Sequence, residues 1–439
     1  MTALSCRMAW LRTGVLMLGL AGSLLAPLGC SNGSGSTSPT ASGTGTPLNS
    51  NMPPAAVSVL SPYTAITGAN TQPITVSGDF APGYPNELLT SVTVCVPGTT
   101  TCQTIPNIVV DTGSVGLRLI STPLTLALPV VTSGTAPLGE CLEFVDSFVW
   151  GPVVTADVQL GSALAAGVPI QIIGSPTFAP PPALCTSSGL PEQGTVDTFG
   201  ANGVLGVGLF SADCGSLCTA DRPAAPAIYF TCPSRSAPCA PTPVPVPQQV
   251  QNPVHFLPQD NNGVIIALPA VDSNGAARVE GTLVFGIGTA ANNGLGNAQV
   301  YTTDADGTFT ALYQGRSYPG SLLDTGSSVL FLLDPITLGI PTCGANTTAP
   351  GDYCPATPVE ATATTVGVTG AIGTVAFSIA NADSLLRTST NNAFSNLAAP
   401  FNARPEALTL GLPFFFGRNV FVAIAGQSTP AGDGPYWAY

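Results

Sequence analysis

The sequence predicts an all-β protein of two lobes that face one cleft, and three observations predict it. A six-residue phrase occurs twice, as Val109-Val110-Asp111-Thr112-Gly113-Ser114 and as Leu322-Leu323-Asp324-Thr325-Gly326-Ser327. Glycine and proline number 49 and 43 of 439 residues while charged residues make up only 8%, a profile that suits many short strands and turns better than helices. β-branched or alternating runs recur along the chain, as in Ile74-Thr75-Val76-Ser77 and Leu88 to Val96. At this composition an Asp-Thr-Gly-Ser tetrad arises by chance in about one such chain in a hundred, and two of them in on the order of one in ten thousand. One chemical phrase in each half implies a duplicated unit, and the chain is long enough to build two cores.

The phrase has a physical reading. Two apolar residues end a buried strand. The strand delivers an aspartate into a tight turn, where glycine accepts backbone angles that a side chain would forbid. The threonine and serine hydroxyls can hold the turn and the carboxylate. Two such turns face to face place two carboxyls in one dry cleft, where both cannot ionise. The pair then shares a proton, and one member titrates high. A single site so built holds a base for a water molecule and an acid for a peptide carbonyl.

On these motifs the chain resembles the bilobal, pepsin-like aspartic proteases, in a bacterial version, for which the shared proton is an established property. It also resembles an uncharacterised family of proteobacterial lipoproteins carrying the same two motifs. The first resemblance implies that Asp111 and Asp324 are the catalytic pair. It implies that Thr112 and Thr325 brace the two turns across the lobe interface, that Gly113 and Gly326 shape them, and that Ser114 and Ser327 hydrogen-bond the outer carboxylate oxygens. The nucleophile would be water, with no cofactor and no metal.

Taken in order, residues 1–30 read as an export signal. Arg7 and Arg12 precede an apolar run from Val15 to Leu28 that is short for a membrane span. Pro27-Leu28-Gly29-Cys30 resembles a bacterial lipobox, with Pro27 where leucine is usual and lipid attached to Cys30. Ser31 and Asn32 then suggest outer-membrane sorting, with a periplasmic or cell-surface location. Residues 31–56, rich in Ser, Gly, Thr, Pro and Asn, read as a flexible tether. Nothing basic lies between Cys30 and Asp111, so the basic propeptide of pepsin-like zymogens is not expected here.

The first lobe is assigned to residues 57–245. After the first motif, Glu140 to Gly151 and the run from Thr155 to Gly161 resemble the family's flap hairpin and the strand after it. Trp150-Gly151 stands where the family has Tyr-Gly, which implies that Trp150 closes over substrate. The aromatic partner of that Tyr, four positions beyond the first motif, is here Arg118. Arg118 is expected to stack on Trp150 as a cation–π pair, the alternative being Trp150 in the core and Arg118 at the surface. Residues from Pro176 to Pro182 are loop. Val204-Leu205-Gly206 matches the apolar-Gly segment that threads the catalytic loop. The Pro-rich run 240–253 reads as a crossover between lobes.

The second lobe is assigned to residues 246–439. Gly281 to Gly288 and Tyr301 to Tyr313 read as strands leading to the second motif, and Thr364 to Ile379 as a hairpin. Leu408 to Val422 resembles the closing apolar-Gly segment, with Gly411 the counterpart of Gly206 and Leu412 where Asp is usual.

Composition removes several functions. The net charge is −13 and all ten basic residues are arginine, which argues against nucleic acid as a partner. The lone His255 leaves no Ser-His-Asp triad. Cys214-Gly-Ser-Leu-Cys218 has ligand-like spacing but lacks a second pair and histidines, so a zinc site is not expected. Ten cysteines remain beyond Cys30, an even number that in an exported chain argues for disulfides. Proximity suggests Cys95–Cys102, Cys214–Cys218, Cys232–Cys239 and Cys343–Cys354, leaving Cys141–Cys185, although sequence alone does not fix connectivity. In acid at most ten Arg and one His stay charged, so self-repulsion is mild and acid tolerance is expected. The expected protein is a monomeric, lipid-anchored endopeptidase acting on peptide or protein substrates. The alternatives are a catalytically silent binding module on the same fold, and a structural surface protein in which the two Asp turns do not meet.

Overall fold

The computed structural model describes residues 61–81, 83–220, 227–388, 390–401 and 405–439. The signal segment, the tether and Cys30 lie outside the described residues. The chain is an all-β protein; the longest described helix, Ala382–Thr388, has seven residues. Side-chain alternation decides which face each strand buries. In Thr71–Ser77, Gln72, Ile74 and Val76 are buried while Pro73 is exposed. In Ile372–Ile379, Val375, Phe377 and Ile379 are buried while Ile372 and Ala376 are exposed. Each large apolar side chain so buried contributes roughly 1.5–3 kcal/mol.

Two main sheets result. The larger runs through both halves of the chain. Its seam is the antiparallel pairing of Thr71–Ser77 with Arg278–Phe285, in register from Thr71 opposite Val284 to Ser77 opposite Arg278. Beyond the seam, Gly263–Leu268 pairs with Arg418–Ala423, which pairs in turn with Tyr436–Ala438. A second sheet of seven strands holds the remainder of the C-terminal half, from Phe309–Tyr313 to Thr409–Gly411. One apolar cluster, extending from Ile74 to Tyr439, draws on both halves.

The two copies of the repeated phrase sit in matching threads. Cys102–Asp111 runs parallel to Gly203–Val207, with Asp111 opposite Gly206, and Gly203–Val207 runs antiparallel to Val115–Ile120. Arg316–Asp324 runs parallel to Thr409–Gly411, with Asp324 opposite Gly411, and that strand pairs antiparallel with Leu330–Leu332. Both glycines are required by close approach: a Cβ on Gly206 would lie 2.6 Å from the Val115 nitrogen, and one on Gly411 2.0 Å from the Val329 oxygen.

Between the N-terminal thread's strands lies a hairpin of Ala136–Glu143 and Phe148–Leu160. Its tip, Phe144 to Ser147, is closed by the Phe144 N–H donating to the Ser147 carbonyl at 2.7 Å. Among the described residues five disulfides form, Cys95–Cys102, Cys141–Cys185, Cys214–Cys218, Cys232–Cys239 and Cys343–Cys354. Cys141–Cys185 closes the longest loop, with a sequence separation of 44, and Cys214–Cys218 the shortest, with a separation of 4. Loop-closure entropy makes the first worth about 4 kcal/mol and the second about 2 kcal/mol. Urea unfolding of the double variants Cys141→Ser/Cys185→Ser and Cys214→Ser/Cys218→Ser should show the larger loss in the first; equal losses would contradict the ranking.

Candidate active site

Each aspartate ends a strand whose neighbours fix where it points. Val110 and Leu323, one residue earlier, face the core, so Asp111 and Asp324 face the other way, toward each other. The two turns are locked by four reciprocal hydrogen bonds. The Thr112 N–H donates to Thr325 Oγ1 at 3.0 Å, and the Thr325 N–H donates to Thr112 Oγ1 at 3.0 Å. The Thr325 hydroxyl donates to the Val110 carbonyl at 2.7 Å, and the Thr112 hydroxyl to the Leu323 carbonyl at 3.2 Å. Both hydroxyls are thereby satisfied across the boundary between the halves, where an unmade bond would be costly.

The carboxyls sit inside this lock. Ser114 donates to Asp111 Oδ2 at 2.7 Å, and Ser327 to Asp324 Oδ2 at 2.5 Å. The Gly113 N–H donates to Asp111 Oδ1, and the Gly326 N–H to Asp324 Oδ1, both at 2.9 Å. The inner oxygens face across the gap. A Cβ on Gly113 would lie 2.7 Å from Asp324 Oδ1, and one on Gly326 2.7 Å from Asp111 Oδ1. Glycine is therefore needed at both positions to let the opposite carboxyl approach. Each acid thus lies against the opposite turn, and their exposures are 0% and 2%.

Burial raises both acids. Asp324 is pushed well above the usual carboxylate range by burial and by the nearby Asp111 charge, against the pull of the Ser327 hydrogen bond. Asp111 is also raised by burial, with hydrogen bonds from Ser114, Asp324 and Gly113 opposing. The pair thus holds one proton between its two members, and its titration belongs to the pair.

The hairpin follows the alternative reading for Trp150, in the core, and neither reading for Arg118. Trp150 does not face the acids. It is buried among Cys141, Phe148, Cys185 and Phe230, and its indole N–H donates to the Ala179 carbonyl at 2.7 Å. The reason is strand parity: Trp150 pairs with Cys141 on the outer face of the hairpin, while Gly151 pairs with Glu140, so Glu140 is on the inner face. Gly151 is set by close approach, since a Cβ there would fall 1.8 Å from the Ile172 oxygen. Arg118 neither stacks on Trp150 nor lies at the surface. It is fully buried and pairs with Glu140 at 2.6 Å and Asp213 at 2.9 Å. Sequence reasoning missed Glu140 and Asp213 as its partners. The available signal was an Arg inside an otherwise apolar strand, which needs a buried acid to neutralise it.

Among the described residues no three His, Cys, Asp or Glu side chains are grouped to hold a metal ion. His255 lies in a 3-10 turn, Pro253–Phe256, with burial lowering its pKa.

Two outcomes are expected. Thr325→Val keeps the shape but strands the Thr112 N–H and the Val110 carbonyl, so chemical denaturation should show a loss of about 1–3 kcal/mol. Asp111, Asp324 and Asp213 are raised, and burial lifts Asp352 to about 7. Stability from such groups is complete below the unfolded carboxyl value of about 3.9 and is lost as pH rises through the folded values. The melting temperature should therefore fall between about pH 4 and pH 8; a rise across that window would contradict the buried proton.

Comparison with known proteins gives a curated match of modest extent. Clock-controlled protein 6 of Neurospora crassa is 27% identical over 122 residues, covering 28% of this chain and 84% of that protein. Residues 66–439 match the family described as "Protein of unknown function (DUF3443)", and the chain belongs to that family.

Proposed function

We propose that this protein is an exported aspartic endopeptidase on a pepsin-like, two-lobed fold, with Asp111 and Asp324 as the catalytic pair. The observation that supports this reading is the pair of buried acids, each brought against the opposite turn and both raised by burial. In this reading a water molecule lies between the inner oxygens. Asp111 takes a proton from it as the water oxygen bonds to the scissile carbonyl carbon. The carbonyl oxygen gains the displaced π electrons and takes the proton of Asp324. The tetrahedral diol then collapses: Asp111 returns its proton to the amide nitrogen, the C–N bond breaks, and Asp324 recovers a proton from the hydroxyl. Atoms and charges balance without a covalent intermediate. Export and a lipid anchor at Cys30 belong to the same proposal.

A second reading is a catalytically silent binding lipoprotein on the same fold. The near-zero exposure of both acids favours it, because substrate must reach them.

Asp111→Asn separates the two. Incubation with an unfolded protein substrate in acid, where a raised carboxyl keeps its proton, should give cleavage by the native protein. The variant should give none, with its melting temperature kept. No cleavage by either, together with no thermal shift on adding a peptide bearing a hydroxyl in place of the scissile carbonyl, would reject the peptidase.

A further inference from the structure

The candidate dyad is not the only place where two acids crowd one site. Arg118 lies on Val115–Ile120, the strand leaving the first catalytic turn, in register with Val204, which is in register with Val109. Strand alternation puts Val109 on the same face as Asp111. Arg118 therefore shares the sheet face that carries the catalytic acid. Its Nη1 donates to the Val115 carbonyl at 2.6 Å, which ties it to the turn itself. Its Nη2 donates both to Glu140 Oε1 at 2.6 Å and to Asp213 Oδ2 at 2.9 Å. Two carboxyl oxygens on one nitrogen cannot be far apart, and the site is dry. One guanidinium neutralises one carboxylate, so a second negative charge there is strongly disfavoured.

The neighbouring groups are neutral. Tyr229 donates its hydroxyl to Asp213 Oδ1 at 2.7 Å and accepts the Val250 N–H at 2.7 Å. Gln171, in register with Arg118, donates its amide to the Glu140 carbonyl at 2.7 Å. Among the described residues of this cluster, three buried atoms have no partner: Arg118 Nε, Glu140 Oε2 and Gln171 Oε1. Two of the three are acceptors short of a donor, and a protonated carboxyl would supply one. The titration direction agrees: Asp213 is held well above the usual range by burial first and then by the Glu140 charge, with Arg118 opposing.

Glu140 belongs to the inner face of the hairpin. Four residues on, at the tip, Phe144 is buried in one cluster with Val109, Ile120 and Val204. Val145 packs against the C-terminal cluster that includes Val329, Phe331 and Phe401. The hairpin thus reaches from one half to the other, and the Arg118 cluster fastens its base.

We propose that Arg118, Glu140 and Asp213 form a proton-dependent latch that positions the hairpin over the candidate active face. With one proton shared between the acids, the latch is neutral and holds the hairpin down. When the proton leaves, the excess charge drives Glu140 and the hairpin away from Arg118. These are positioning residues, and their geometry stands apart from the proposed peptidase activity; only the effect on cleavage rests on that reading.

Hydrogen exchange read by mass spectrometry on the full chain tests it. Protection is measured for the hairpin, residues 136–160, relative to Thr71–Ser77 and corrected for intrinsic pH dependence. In the native protein, hairpin protection should fall by up to about tenfold per pH unit once the shared proton is lost. Asp213→Asn removes one charge while keeping the shape, so its hairpin protection should stay flat with pH. Glu140→Gln should behave likewise and serves if Asp213→Asn does not fold. Arg118→Met leaves two acids without a cation, so the closed hairpin needs two protons and its protection should fall with pH more steeply than in the native protein. Native protection that does not change with pH, or an Asp213→Asn profile identical to native, would overturn the latch. Repeating the measurement in Asp111→Asn keeps the two proposals separable: a pH-dependent hairpin without cleavage in any variant supports the latch and rejects the peptidase.

Discussion

The reciprocal clasp between Thr112 and Thr325 is the constraint on which the rest of the site depends. Each hydroxyl accepts from the backbone of the opposite turn and donates to the strand leading into it. No bond in this set is local, so none survives separation of the halves. The distance between the two carboxyls is consequently a property of the whole fold and not of either turn. Gly113 and Gly326 complete the constraint by leaving room for the opposing acid. The electrostatic outcome, one acid neutral and one ionised, needs only that these two turns be held together in the dry interior.

Much of this was legible in the sequence, because the information is local. The two tetrads carry their own turn chemistry, and the partner glycines, Gly206 and Gly411, come after apolar pairs that suit a threading strand. The close cysteine pairs were also readable, since short spacings leave few alternatives. The hairpin was misread for an equally physical reason. Resemblance aligned Trp150 with an aromatic of the flap, but a residue's role on a strand depends on parity, and a one-residue shift exchanges inner and outer faces. Glu140, not Trp150, faces the sheet. Asp213 was invisible because it lies in a loop far along the chain from Arg118, and only the fold brings it near.

Charged residues are scarce here, yet several sit in the least solvated positions: Asp111, Asp324, Arg118, Glu140 and Asp213 are all buried. Such groups are expensive to desolvate and are kept only when paired or protonated. The molecule uses both solutions close together, with Asp111 and Arg118 on one face of the larger sheet. Its exposed ion pairs, such as Arg278 with Asp79 and Glu280, contribute little by comparison.

The seam between the halves also bears on biogenesis. Thr71–Ser77 meets its sequence neighbour Leu88–Cys95 at only two register pairs, and finds its full-length partner in Arg278–Phe285. A nascent chain therefore exposes an unpaired apolar edge until most of its length has emerged, and edges of that kind recruit stray strands. The fold's long-range closure makes it slow to complete. A holdase chaperone that shields the early segment during synthesis, and withdraws once the later strand arrives, is the kind of helper such a topology calls for.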